Sequence, residues 1–233
     1  VDTEALMPLV PGSIWHARQA VRLGPVHVKT RATCVKLADG SLWVHSPIAP
    51  TAALVSEIQR IGTVRYVIAP NKSHHLFFAS FLQAFPDAQG YLAPGLGKKR
   101  PALSGYPELE PGKPAPWDSE LTAFFIEGLP ALNETVWFHP ASGTLILTDL
   151  LFCFGAENPW ASRLLASLLG VYGRLAMSHT LKLLVRDRKA LTRSADRLLA
   201  LEVTRIVLAH DQVIEARAQS RLAAALAWLS SHR

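Results

Sequence analysis

An apolar run that stops at a proline and meets two adjacent histidines within five residues constrains a fold strongly. Val64-Arg65-Tyr66-Val67-Ile68-Ala69 has the β-branched and aromatic content of a core strand, and Pro70 ends it. Asn71, Lys72 and Ser73 are turn and capping residues, and His74 and His75 then open a predicted helix through Phe85. Open α/β layers place ligands just beyond the carboxyl ends of their strands, which puts these imidazoles in position for metal ligation or proton transfer. The competing reading makes one histidine a helix cap and leaves the other solvated.

The 233 residues, 49% of them hydrophobic, suffice for one well-buried core, so a single domain over residues 1–233 is expected. The 24 Lys and Arg against 18 Asp and Glu give a net charge of +6. Such an excess invites phosphate binding. The cations are scattered, however, apart from Lys98-Lys99-Arg100 and the segment 186–197, and no zinc-finger spacing or RNA-binding aromatic motif accompanies them. Nucleic acid is therefore disfavoured as a partner. Cys34 and Cys153 make neither a disulfide framework nor a Cys-x-x-Cys site, which fits a reducing, cytoplasmic setting. No secretion signal is visible after Val1. The most apolar helical run, Leu164 to Gly173, is too short to span a bilayer and is expected to pack inside the protein, with no membrane partner.

In chain order, residues 1–24 look like an irregular lead-in, and Val26 to Leu37 alternates as a strand does. Asp39-Gly40 is a hairpin turn into Leu42-Trp43-Val44. Thr51 is a candidate N-cap for a helix through Arg60, and a short strand is expected near Tyr91-Leu92. Residues 93–117 form a loop rich in Pro and Gly, with a basic rim suited to substrate selection. Strands follow at 121–127, 135–139 and 144–148, the last running into Asp149. A helical stretch covers about 160–201, the strand from Arg205 ends at His210, and an alanine-rich helix closes the chain over 213–230.

Other nucleophile chemistry finds little support. Gly95-Leu96-Gly97-Lys98-Lys99 lacks the spacing of a phosphate-binding loop, and no Gly-x-Ser-x-Gly elbow is present. Cys153 lies among apolar residues that disfavour a thiolate. Three strand ends nevertheless carry potential ligands: His74 with His75, Asp149, and His210.

That order resembles the metallo-β-lactamase superfamily, in which a His-x-His-x-Asp-His turn, a strand-terminal Asp and a strand-terminal His build a one- or two-metal site. Val44-His45-Ser46-Pro47, His74-His75-Leu76-Phe77, Ala93-Pro94-Gly95-Leu96 and Leu147-Thr148-Asp149-Leu150 are similar to patterns of an uncharacterised branch of it. The resemblance covers nearly the whole chain and implies an α+β fold, a four-layer αββα sandwich.

The motif is degenerate. With His75 matched to the last motif histidine, Pro70 and Lys72 stand where the first two belong, and His74 replaces the aspartate. Residues 129–134, where a further histidine is expected, contain none. What remains is His74, His75, Asp149 and His210, a donor set acceptable to one zinc or iron ion. The resemblance thus implies a metal-dependent hydrolase of an ester, lactone or related small molecule, with Asp149, Lys72 and His139 as candidate catalytic groups. Lys72 would repel a first cation and could stabilise an oxyanion in its place. His139 and His45, each closing a strand before a Pro-containing turn, are candidate acids or supports for the ligands. The alternatives are a binding protein that has lost its metals and a nucleic-acid phosphodiesterase using the Lys98 to Arg100 rim. A small-molecule substrate is expected, and a homodimer is left open.

Overall fold

The computed structural model describes residues 3–23 and 26–230. The chain divides into two compact units, one comprising Val1–Val21 with Lys29–Trp117 and the other Arg22–Val28 with Asp118–Arg233.

The first unit is built on a six-stranded sheet in which sequence order is spatial order: β1 (Met7–Val10), β2 (Ile14–Leu23), β3 (Val26–Lys36), β4 (Ser41–His45), then across α1 (Ala52–Ile61) to β5 (Thr63–Ala69), and across α2 (Phe78–Ala84) to β6 (Gln89–Leu92). The expected irregular lead-in is corrected here. Two strands occupy most of it, with Met7 against His16 and Pro8 against Trp15, and residues 1, 2 and 24 lie outside the described residues. The error has a physical source, because Pro8, Pro11 and Gly12 read as loop residues, yet edge strands and hairpin turns tolerate them. At Asp39-Gly40 the chain reverses as expected, and Asp39 Oδ1 accepts hydrogen bonds from both Ser41 N and Ser41 Oγ.

Helix α1 starts at Thr51, whose hydroxyl accepts from Leu54 N, and it buries Leu54 and Ile58. These join Leu42, Val44, Val64, Val67, Phe78 and Phe81 in one core on a single face of the sheet. The alternate residues Trp43 and Tyr66 point to the opposite face, where Trp117 meets Trp43, Tyr66 and Tyr91 edge-on. Both faces of β4 are thus buried. Within the loop after β6 lies α3 (Leu96–Lys99), whose start is tied down by Glu108 accepting from Gly95 N and Gly97 N.

The second unit carries β7 (Thr122–Phe125), β8 (Thr135–His139) and β9 (Thr144–Leu147), followed by α4 (Trp160–Leu168), α5 (His179–Leu183), α6 (Arg188–Leu199), β10 (Arg205–Leu208), β11 (Val213–Ile214) and α7 (Ala218–Leu226). Its sheet runs β11-β10-β9-β8-β7, with β10 parallel to β9 and the other pairs antiparallel. Leu191 and Leu198 of α6 and Leu222 and Leu226 of α7 pack with Val136, Phe138, Leu145 and Leu147. Asp187 caps α6, as its position before the leucine pattern requires. The closing segment is helical only from Ala218, since Val213 and Ile214 pair with β10 first.

Gly128 shows how tightly the turn between β7 and β8 is held. Its φ is +80°, its carbonyl accepts from Arg186 N and Asp187 N, and a Cβ there would lie 2.1 Å from Asp187 O. Gly128→Ala is therefore expected to cost roughly 2–4 kcal/mol, combining left-handed strain with a backbone clash. Urea denaturation checks this, and an unchanged midpoint would refute it.

One helix departs from expectation. The apolar run beginning at Leu164 was expected to pack inside, but α4 turns Ser162 and Ala166 inward and leaves Trp160, Leu164, Leu165 and Leu168 exposed. No described helix is long and apolar enough to cross a membrane.

Candidate metal centre

In the second unit, β9 and β10 are parallel and in register, Leu147 against Leu208. Asp149 and His210 each follow two residues later, so both side chains emerge at the carboxyl end of the sheet. His210 Nε2 lies 3.2 Å from Asp149 Oδ1, and both side chains are largely buried. The imidazole stacks on Phe152, with ring centroids 5.8 Å apart, which fixes its plane.

Asp149 is held from behind by a residue that the sequence reading did not single out. Glu134 is 1% exposed, and its carboxylate accepts from Thr148 N at 2.7 Å, Asp149 N at 2.8 Å and Leu150 N at 3.0 Å. Three backbone donors converging on one buried carboxylate lock the turn that presents Asp149. Asp211, next to His210, does similar work from a left-handed backbone position with φ +66°. It accepts from Gly155 N and Asn158 Nδ2 and so ties down the loop after Phe154.

In the first unit, β5 ends at Ala69 and the buried Asn71 shapes the turn after Pro70, its Oδ1 accepting from Ser73 N and His74 N. The histidines lie in this turn, and α2 starts only at Phe78. His74 Nδ1 and Ser46 Oγ are hydrogen-bonded at 2.7 Å. Ser46 has φ +53°, a strained conformation for a residue with a Cβ, and strain of this kind collects where geometry serves a function. His75 turns the other way. Its Nε2 accepts from Arg100 Nε at 3.2 Å, and burial, with the charges of Arg100 and Lys99, holds its pKa below the ordinary imidazole value. Lys72 is half-buried, and its carbonyl accepts from Lys99 Nζ.

His45 is fully buried and stacks on Trp43. Burial above all, reinforced by His74, lowers its pKa to about 3, so it is neutral in the fold. Unfolded histidine takes a proton near pH 6.5, so the stability that His45 contributes is complete above that value and falls as the pH drops toward 3. The expected loss between pH 7 and pH 5 is about 2 kcal/mol. Denaturant midpoints across that range measure it, and His45→Asn should flatten the slope.

His139 is hydrogen-bonded to Ser142 Oγ, and burial lowers its pKa against an opposing effect of Glu120. It pairs with Thr144, at the start of β9, whereas Asp149 follows the end of that strand, roughly 15 Å along it. The structure therefore groups Asp149 with His210, His74 with Ser46, and His75 with Arg100, and it puts His139 at the opposite end of its sheet. The Val44-His45-Ser46-Pro47 pattern gives no role to the Ser46 hydroxyl, and the carboxylate of Glu134 has no motif. The one available sign was an acidic residue just before an apolar strand.

The geometry of the Asp149–His210 pair suits a metal. Two donors at about 2.0–2.1 Å from a tetrahedral ion stand roughly 3.3 Å apart, close to the observed 3.2 Å. A carboxylate and a neutral imidazole are also the donor chemistry that zinc and iron accept.

Solved structures with the same fold are numerous. DIM-1 metallo-β-lactamase exposed to ceftazidime superposes with a TM-score of 0.68 at 12% identity, covering 98% of this chain and 99% of that one. A metallo-β-lactamase from Pontibacter korlensis gives 0.67 at 14% identity, covering 99% and 100%. The metal-soaked Flv1 flavodiiron core from Synechocystis sp. PCC6803 gives 0.66 at 12% identity, covering 99% of this chain and 62% of that one. At such identities the likeness establishes the fold, the αββα sandwich of the metallo-β-lactamases. No functionally curated protein matches the sequence. A family model does match, over residues 11–169, well over half of the chain, and the protein accordingly belongs to the family described as Domain of unknown function (DUF4336).

Proposed function

We propose that this protein is a single-metal hydrolase of a small ester, lactone or related carbonyl compound, with one zinc or iron ion held by Asp149 and His210, and by His74 as the resemblance of its turn to the superfamily motif implies. The observation that carries the reading is the Asp149–His210 pair, set at ligand spacing at the ends of adjacent parallel strands and braced by Glu134. His75 is left out of the ligand set because its Nε2 already accepts from Arg100. Ser46 supports His74 through Nδ1, leaving Nε2 as the ligating atom.

A bound ion would supply Lewis-acid polarisation of water and of the substrate carbonyl. The chain's own groups do the rest. Asp149 contributes the one negative charge among the ligands, and Phe152 keeps the His210 ring oriented. Lys72, replacing a ligand of the superfamily motif, supplies a fixed positive charge in place of a second ion and is assigned to stabilising the oxyanion. His139 is assigned a structural role, in keeping with its hydrogen bond to Ser142 and its position at the far end of β9.

A second reading rests on the same 3.2 Å, because a histidine and an aspartate at that distance can satisfy one another without an ion. The protein would then be a binding module on the same scaffold. A panel of chromogenic esters and lactones, assayed with zinc or iron(II) and again after chelation, tests the proposal. Chelator-sensitive turnover that falls with Lys72→Ala supports it. Zinc- or iron-loaded protein that turns over nothing in the panel counts against it.

A further inference from the structure

The outward side of α4 reverses the usual pattern of a helix in a globular protein. Trp160, Leu164 and Leu168 are spaced by four residues and form one stripe, 76%, 54% and 68% exposed, while the inward positions are the small Ser162 and Ala166. Helix α5 begins against the end of α4, with His179 N and Nδ1 bonding the carbonyls of Leu169 and Leu168, and it closes with Leu183, 85% exposed, and the exposed Leu184. Patches of large exposed apolar side chains mark interaction surfaces.

Charge identifies the partner. From the start of α4 to the end of α5 the chain holds three cations, Arg163, Arg174 and Lys182, and no acid. Between 160 and 186 there is no Asp or Glu at all. A second copy of so cationic a face would be repelled. Nucleic acid is a poor match too, because single-stranded bases stack on aromatic rings and, after Trp160, the stripe offers only leucines. Leucines and a tryptophan flanked by arginines and lysines are the composition of helices that lie in the headgroup region of anionic bilayers.

We propose that the exposed face of α4, with the end of α5, binds anionic lipid surfaces peripherally. No described helix is long and apolar enough to cross a membrane, but a helix lying on the surface needs no span. The inference is independent of the metal centre.

The test is sedimentation of the full chain with vesicles of phosphatidylcholine alone or with about 30% phosphatidylglycerol, at low and at physiological salt. The expected result is binding stronger by on the order of tenfold or more with the anionic lipid, weakened by salt, and accompanied by a blue shift of tryptophan emission that Trp160→Phe removes. The double substitution Leu164→Glu with Leu168→Glu lies on exposed positions, so it should abolish binding and leave the circular dichroism melt unchanged. Absence of wild-type binding to anionic vesicles at low salt overturns the proposal, whatever the variant does. So does binding that survives the double substitution, or a dimer in solution that the double substitution dissociates, since the face would then belong to a second copy.

Discussion

Asp149→Asn is expected to lower metal affinity by about a hundredfold or more while leaving the metal-free protein folded. The carboxylate is the one charged member of the proposed ligand set, and replacing it by an amide would leave a bound dication among neutral groups in a largely buried place. The fold should survive, because the backbone N–H of Asp149 still holds the turn to Glu134. Competition with a zinc-binding dye measures the affinity, and a thermal melt in chelator controls for folding. Affinity unchanged within a factor of three would remove Asp149 from the site.

Glu134 should show the opposite pattern. Glu134→Ala withdraws the acceptor from the N–H groups of Thr148, Asp149 and Leu150, and Thr148 and Leu150 are fully buried. At roughly 1 kcal/mol or more for each buried donor left unsatisfied, the loss is about 3 kcal/mol or more. For a chain of this size that lowers Tm by about 6–12 °C. Glu134→Gln restores one acceptor oxygen but aims an amide N–H at the remaining donors, so it should recover only part of the loss. A melt shifted by less than about 2 °C for Glu134→Ala would mean that water replaces the carboxylate without penalty.

Much of this was legible in the residues themselves. Strand β5, the Asp39-Gly40 turn, the Thr51 cap and the strands ending near Asp149 and His210 all follow from local patterns of alternation and capping, which the packing reinforces; the parallel pairing of the last two comes from the structure alone. The strands expected at 26–37, 42–44 and 64–69 share one sheet, and those expected at 144–148 and from Arg205 share the other. What escaped depends on contacts distant in sequence. Glu134 acts fourteen to sixteen residues away and Ser46 acts on His74 across twenty-eight. Nothing in their neighbours along the chain signals either partner. The lead-in strands were hidden by Pro8, Pro11 and Gly12, and the exposure of α4 by the general rule that leucine stripes face inward, which this helix breaks. Arg100 shows the same limit: it was read as part of a substrate rim, but its Nε is directed at His75.

The central claim is that the surviving donors hold one ion and not two. Metal analysis by plasma emission, on protein purified without chelator and then dialysed against zinc at neutral pH, tests it most directly. About one equivalent is predicted for the wild-type chain, close to none for Asp149→Asn, and tighter retention for Lys72→His, which exchanges a positive charge for a nitrogen donor. No metal in the wild-type protein after zinc dialysis, with Lys72→His equally empty, would contradict the account.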